Sequence, residues 1–168
     1  MAVLADKYAD RIEKIFAKYP DKRSGIMDLL YLAQEEYGWL SEDALREVAA
    51  LCDVDPTQAQ SIAGFYTMFS EKPKGKYWLQ VCTDLPCALR GADQFYRDLC
   101  EYLDVEDGGT TEDGLFTVEQ VMCLAACDRA PMLQCNFHYH ENLDMDTIKA
   151  LIEQWRAQAQ HDIAEPGD

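Results

Sequence analysis

The stretch YWLQVCTDLPC, residues 77–87, decides the fold of the second half of this chain. Its first five residues are aromatic, apolar or otherwise β-favouring, and they predict a short buried strand. Asp84-Leu85-Pro86 then predicts a loop, because aspartate and proline interrupt regular structure. This arrangement places Cys82 at the end of the strand and Cys87 just before the next helical pattern.

The sequence after this stretch alternates between helical and β-favouring patterns. The predicted elements are a helix at 92–103, a loop at 104–114, strands at 115–121, 132–136 and 137–141, and a helix from Asp144 to Trp155. We expect residues 159–168 to form a frayed tail. This order of strands and helices is that of a thioredoxin-like α/β domain, which we place at residues 77–158.

The first half of the chain has a helical pattern throughout. Apolar residues at i, i+3 and i+4 spacing predict four short helices, which form a small bundle at residues 1–70. Cys52 falls on the apolar face of the third helix, so we interpret it as a core residue. The polar residues 71–76, which include proline and glycine, predict a linker. The expected fold class is therefore α+β, with a helical N-terminal domain followed by the thioredoxin-like domain.

Composition excludes several classes of function. The 168 residues carry a net charge of -16, and residues 76–168 hold six basic against eighteen acidic side chains. Without a basic surface, binding to nucleic acid or to an acidic membrane surface is not expected. The longest apolar run, at residues 121–127, is too short to cross a bilayer. The N-terminus lacks the regions of a secretory signal, so we expect a reducing compartment.

Seven cysteines are the unusual feature of the composition, and four of them form two spaced pairs. Cys82 and Cys87 are followed, after thirty-five residues, by Cys123 and Cys127 in the loop between the second and third strands. If the first two strands are neighbours in one sheet, their carboxyl ends bring both pairs to one edge. Four thiolates in a reducing compartment select zinc or an iron–sulfur cluster.

Spacing favours the cluster without excluding the alternatives. Structural zinc sites most often use tight C-x2-C turns, whereas a [2Fe–2S] cluster needs two cysteines for each iron. A disulfide pair is a third possibility. A thiol oxidoreductase is disfavoured because neither pair has the C-x-x-C spacing of that chemistry.

The remaining candidate ligands are interpreted as structural. Cys100 on a helix and Cys135 in a strand are predicted to be core thiols. His138 and His140 are predicted to belong to a partly exposed hairpin, because the C-x-H loops of a Rieske centre are missing. The sequence also lacks the G-x-G-x-x-G pattern between a strand and a helix, so it predicts no dinucleotide-binding site of that type in this chain.

Both cysteine pairs lie within wider sequence patterns. These are Val81-Cys82-Thr83-x-x-x-Cys87-x-x-x-Gly91, then Cys123-Leu124-x-x-Cys127-x-x-Ala130-Pro131-Met132, and finally Tyr139-x-Glu141-Asn142-Leu143. Together with the helical extension at residues 1–70 and the segment 64–69, they resemble the thioredoxin-like [2Fe–2S] subunit of NADH:quinone oxidoreductase. In respiratory complex I this is the E-type, or 24 kDa, component.

The resemblance implies a non-catalytic electron-transfer subunit with one [2Fe–2S] cluster. Cys82 and Cys87 would hold one iron, and Cys123 and Cys127 the other. The implied partners are a flavoprotein that binds NADH and FMN and the other subunits of the peripheral arm. The implied location is cytoplasmic, peripheral to the inner membrane through the complex. Alternatives are the equivalent subunit of an NAD-reducing hydrogenase or NAD-dependent formate dehydrogenase, a free ferredoxin, and a zinc-stabilised adaptor.

Two residues depart from the family pattern. Ala125 stands where glycine is usual after Cys-Leu, and it would be strained if the backbone there requires a positive φ. Met122 stands where an acidic residue is common. Both departures are expected to affect the redox potential more than the binding of iron.

Overall fold

The computed structural model describes residues 3–164, and side-chain surroundings are described as far as residue 161. The chain divides into two compact units, Met1–Pro73 and Lys74–Asp168. The boundary lies within the residues predicted as a linker. Residues 75 and 76 belong to the second unit and are hydrogen-bonded within it. The backbone N–H of Gly75 donates to Thr117 Oγ1, and that of Lys76 donates to the Gly114 carbonyl.

The first unit is built from short helices. They are α1 (Val3–Lys7), α2 (Ala9–Phe16), a 3₁₀ helix (Lys22–Gly25), α3 (Ile26–Tyr37), α4 (Glu42–Leu51) and α5 (Pro56–Phe65). The sequence predicted four helices, so α1 is an addition. It spans little more than one turn, which is too short to show helical periodicity. Leu4 on α1 is nevertheless fully buried, and its backbone N–H donates to Glu47 on α4.

The ends of these helices follow their capping residues. The side chain of Ser41 accepts a hydrogen bond from the Ala44 N–H, and that of Asp55 accepts one from the Thr57 N–H. Both side chains satisfy amide groups that have no partner inside the helix. Cys52 is buried in the leucine-rich core of this unit, as predicted.

The second unit is built on a four-stranded sheet with the order β2-β1-β3-β4. The strands are β1 (Tyr77–Cys82), β2 (Phe116–Val121), β3 (Leu133–Cys135) and β4 (His138–His140). β1 is parallel to β2, whereas the pairs β1–β3 and β3–β4 are antiparallel. The mixed sheet and the accompanying helices confirm the α+β fold class.

Alternate residues of the strands enter the core of the second unit. Tyr77, Leu79 and Val81 of β1 pack in one cluster with residues of α7 (Ala92–Leu103) and α8 (Met145–Ala164). This alternation is the period of two expected of a strand with one face on a helical layer. The opposite residues of β1, at positions 78, 80 and 82, therefore belong to the other face, and the last of them is Cys82.

Two elements differ from the prediction. The loop between Cys82 and Cys87 contains a short helix, α6 (Leu85–Ala88), which begins directly after Asp84. The tail expected to fray from residue 159 is helical as far as Ala164, and Ala159 is 1% exposed. Ala159 follows the buried Ile152 by two turns, so the apolar stripe of α8 continues. Residues 165–168 lie outside the described part of the chain.

Within residues 3–164, no helix combines the length and the apolar content that crossing a membrane requires.

Candidate metal centre

The first cysteine pair lies on regular secondary structure. Cys82 is the last residue of β1, and its backbone N–H donates to the Met132 carbonyl, 3.3 Å away. Cys87 lies in α6, where its N–H donates to the Asp84 carbonyl at 2.9 Å. The two residues are 1% and 0% exposed. We call residues 82–91 the first cysteine segment.

The second cysteine pair lies on a loop that ends in a single 3₁₀ turn, Cys127–Arg129. Cys123 is exposed, Cys127 is half-buried, and their sulfur atoms are 3.6 Å apart. We call residues 122–131 the second cysteine segment. Between the two cysteines, Ala125 has a φ of +62° and donates its N–H to Cys123 Sγ at 3.3 Å. The positive φ that the sequence analysis considered as a condition at this position is therefore present.

Both segments leave the sheet at the same edge. β1 and β2 are parallel neighbours, and Cys82 is aligned with Val121, the last residue of β2. The predicted convergence of the two strand ends is therefore confirmed. One buried cluster joins residues of both segments, with Leu124 packed against it; its members are Cys82, Cys87, Ala92, Ala126, Ala130 and Met132.

The four thiols are arranged as two pairs rather than as one tight group. Among residues 3–164, no three His, Cys, Asp or Glu side chains are close enough to hold a single metal ion. All seven cysteines are free thiols. The donor set of four soft sulfur atoms in two pairs fits a group that contains two irons, because each iron then takes one pair. Which group the four cysteines bind stays a prediction.

The pKa values of two thiols reflect this arrangement. The pKa of Cys87 is raised to about 12, chiefly by burial and then by hydrogen bonding to Cys82 and by the nearby thiols of Cys127 and Cys123. The pKa of Cys127 is raised chiefly by its hydrogen bond with Cys123 and then by burial. Since both of these thiols are protonated at neutral pH, binding a metal at this edge must release protons.

Hydrogen bonds from outside hold the second cysteine segment. Tyr139 on β4 donates its hydroxyl to the Leu124 carbonyl at 2.8 Å. Arg90 donates from Nη1 to the Asp128 carbonyl at 2.9 Å. Arg129 forms an ion pair of 2.7 Å with Glu141. The sequence resemblance included Tyr139 and Glu141, but no spacing or pattern singled out Arg90.

The structure places the other candidate residues away from the paired thiols. Cys135 is 5% exposed and belongs to the core of the second unit, and the half-buried Cys100 packs against that core. Burial raises the pKa of Cys135 to about 12. His138 is exposed in the hairpin of β3 and β4, and the ring of His140 lies edge-on to Trp155. These findings confirm the structural interpretation of Cys135 and of the histidine hairpin.

Comparison with known proteins identifies close relatives. An NADH-quinone oxidoreductase subunit of Rhizobium meliloti is 41% identical over 88% of each chain. NADH-quinone oxidoreductase subunit 2 of Thermus thermophilus is 40% identical over 90% of this chain and 86% of its own length. NADH dehydrogenase [ubiquinone] flavoprotein 2 of Dictyostelium discoideum is 40% identical, and the match spans 86% of this chain and 60% of that protein.

A solved structure shares the fold. The NAD⁺-reducing [NiFe]-hydrogenase in its H₂-reduced state contains a chain that superposes with a TM-score of 0.67 and 26% sequence identity. The superposition covers 77% of this chain but only 22% of the hydrogenase chain. The similarity therefore concerns one part of a much longer polypeptide.

A family profile covers most of the sequence. The profile described as thioredoxin-like [2Fe-2S] ferredoxin matches residues 12–156, which include both cysteine pairs and most of the helical unit. Membership of this family supports an iron–sulfur cluster as the cofactor, and the names of the relatives support an oxidoreductase subunit. The chain belongs to the thioredoxin-like [2Fe–2S] ferredoxin family.

Proposed function

We propose that this chain is the electron-transfer subunit of an NADH:quinone oxidoreductase and holds one [2Fe–2S] cluster. The observation that carries the proposal is the meeting of two thiol pairs at one edge of the sheet, in a member of a [2Fe–2S] family. Relatives that bear the name of this complex match over nearly their whole length. The two units of the chain would be the family's helical extension and its cluster domain.

The four cysteines take specific roles in this proposal. Cys82 and Cys87 would hold one iron, and Cys123 and Cys127 the other. When bound, a cluster of this kind accepts and releases an electron without forming bonds to substrate. The chain's own contribution is then to fix the sulfur atoms, to direct the Ala125 amide at Cys123, and to cover one pair with apolar side chains. We propose no catalytic residue in this chain.

Exposed apolar side chains beside the cysteines support a protein partner. Leu85, Leu89 and Met122 are 68%, 80% and 77% exposed, and each lies within two residues of Cys87 or Cys123. Water is a poor environment for three large apolar groups near one site, which is typical of a surface that another protein covers. We propose that the partner is the flavoprotein that binds NADH and FMN. The chain would then be cytoplasmic and attached to the inner membrane through its complex.

A second candidate is the equivalent subunit of an NAD-reducing hydrogenase. It is supported by the superposition on the NAD⁺-reducing [NiFe]-hydrogenase. The relatives named for NADH-quinone oxidoreductase are more similar, with about 40% identity against 26%, and they match in length. We therefore favour the quinone-linked complex. An NAD-dependent formate dehydrogenase is a related alternative.

The proposal is tested by reconstitution with the flavoprotein. The tagged chain is expected to co-purify with an NADH-oxidising flavoprotein and quinone-module subunits, and NADH is expected to bleach its visible absorption only when the flavoprotein is present. Leu89→Asp is expected to weaken this association, while Tyr102→Ser, beside α8, leaves it unchanged. Co-purification with hydrogenase subunits would favour the second candidate. A stable monomer with no affinity for a flavoprotein would contradict both.

A further inference from the structure

The side chain of Arg90 joins the two cysteine segments directly. Its guanidinium donates from Nη1 to the carbonyl of Asp128, 2.9 Å away. Asp128 follows Cys127 in the 3₁₀ helix of the second cysteine segment. Arg90 itself belongs to the first cysteine segment, so its hydrogen bond spans the gap between the two thiol pairs.

The backbone around Arg90 is itself tied to the first cysteine pair. The N–H of Arg90 donates to the Cys87 carbonyl at 3.0 Å, and the N–H of Gly91 donates to the Ala88 carbonyl at 2.9 Å. Gly91 has a φ of +91°, a conformation that glycine adopts without strain, and it ends this turn before α7 begins. Arg90 therefore extends from a fixed turn, and one continuous path of hydrogen bonds leads from Cys87 to the residue next to Cys127.

We propose that Arg90 is a positioning residue that holds the second thiol pair at the right place relative to the first. This inference rests on the proposed function for the identity of the bound group, but the hydrogen bond belongs to the chain itself. The second pair needs such a restraint because it lies on a loop and a single 3₁₀ turn outside the sheet, and one of its cysteines is exposed. Without the restraint, the segment can move away from the first pair and release an iron.

The charge of Arg90 adds a second effect. Residues 76–168 carry eighteen acidic and six basic side chains, so a cation bonded to the residue that follows Cys127 opposes the local negative charge. A cation near a cluster favours the form with the additional electron and so raises the reduction potential. Removing the charge of Arg90 is therefore expected to lower the midpoint potential as well as to weaken the retention of iron.

The experiment compares Arg90→Gln with two matched variants. Arg97→Gln removes the same charge from an arginine on α7 whose side chain donates to Gln94 on the same helix. Arg90→Lys keeps the charge and a donor that reaches towards the same carbonyl. We expect Arg90→Gln to lose iron to a chelator about tenfold faster than the wild type, as supporting residues of metal sites commonly do when replaced. Arg97→Gln should match the wild type, and Arg90→Lys should recover most of the retention.

Hydrogen exchange of the full chain as purified gives a readout that does not depend on the cluster. Amides of residues 122–131 are expected to exchange faster in Arg90→Gln, while those of α7 stay unchanged. The proposal would be overturned if Arg90→Gln lost iron and exchanged its amide hydrogens at the wild-type rates. Equal rates of iron loss in Arg90→Gln and Arg97→Gln would also overturn it. If the wild-type chain binds no iron, the proposed function fails, and the exchange experiment still decides whether Arg90 restrains the segment.

Discussion

The two cysteine pairs are held by very different parts of the molecule. Cys82 and Cys87 lie on a central strand and a short helix, and both are buried. Cys123 lies on a loop and is exposed, whereas Cys127 begins a single 3₁₀ turn and is half-buried. Hydrogen bonds from the sheet and α6 fix the first pair, whereas long-range side chains such as Arg90 and Tyr139 restrain the second.

The two pairs therefore differ in how firmly the fold holds them and in how easily a partner protein can reach them. The buried pair supplies a fixed base for a bound group, because moving it would disrupt the core around β1. The exposed pair faces solvent next to apolar side chains, where a partner protein can approach. Within the two cysteine segments, the non-glycine residue with a positive φ lies in the second, where Ala125 adopts a φ of +62°. The second pair is therefore the half that substitutions outside the ligands should affect most.

Replacing a cysteine from either pair has the largest expected effect. Cys82→Ser and Cys123→Ser should both lose nearly all cluster iron, because each iron would be left with one thiolate. Cys100→Ser is the matched control and should retain it, since Cys100 packs against the separate core cluster. Iron analysis and visible spectra check the three variants. Equal loss in all three, or retention in Cys123→Ser, would remove the basis for treating the two pairs as one site.

Thiol reactivity after iron removal should separate the two pairs. The exposed Cys123 should be alkylated at least about a hundredfold faster than Cys87 at neutral pH, because Cys87 is buried and its pKa is raised to about 12. A raised pKa means that Cys87 is protonated at neutral pH. Its alkylation rate should therefore rise about tenfold per pH unit until that pKa is approached. Mass spectrometry of quenched samples measures both rates, and similar rates would show that the pairs do not differ in this way.

Ala125→Gly tests the strain in the second pair. Glycine adopts a positive φ without the steric cost that alanine has, so the variant should be more stable by about 1 kcal/mol. Ala126→Gly is a control at the adjacent position, where φ is -118° and the side chain is buried. It should be less stable by about 1 kcal/mol, because it gains backbone freedom in the unfolded state. Urea unfolding measures the free energy of unfolding of both variants. A lower value than the wild type for both substitutions would contradict the prediction that Ala125 is strained.

Tyr139→Phe has the smallest expected effect. It removes the hydrogen bond to the Leu124 carbonyl but keeps the ring, and an exposed bond of this kind contributes about 0.5 kcal/mol. The loss should appear as faster hydrogen exchange at residues 122–131. Tyr102→Phe, which removes a hydroxyl bonded to Glu153 on α8, should leave that segment unchanged. Faster exchange in both variants would mean that Tyr139 does not support the segment specifically.

The sequence predicted the first pair more completely than the second. Strand β1 has a clear β-favouring run, and the parallel arrangement with β2 follows from the order of elements, so the meeting of the strand ends could be expected. Asp144 marked the start of the last helix because capping is local, and its side chain accepts a hydrogen bond from the Thr147 N–H. The contacts of Arg90 could not be predicted, because they join residues far apart in sequence. The predicted end of α8 was several residues too early, because alanine gives a weak apolar signal.

The most direct test of the two-pair site is the analysis of iron, acid-labile sulfide and zinc in the anaerobically purified chain. Two irons and two sulfides per chain, with no zinc, are the result that we predict for a [2Fe–2S] cluster held by one buried and one exposed cysteine pair. A colourless chain that contains one zinc ion, or cystines formed within the two pairs, would contradict it.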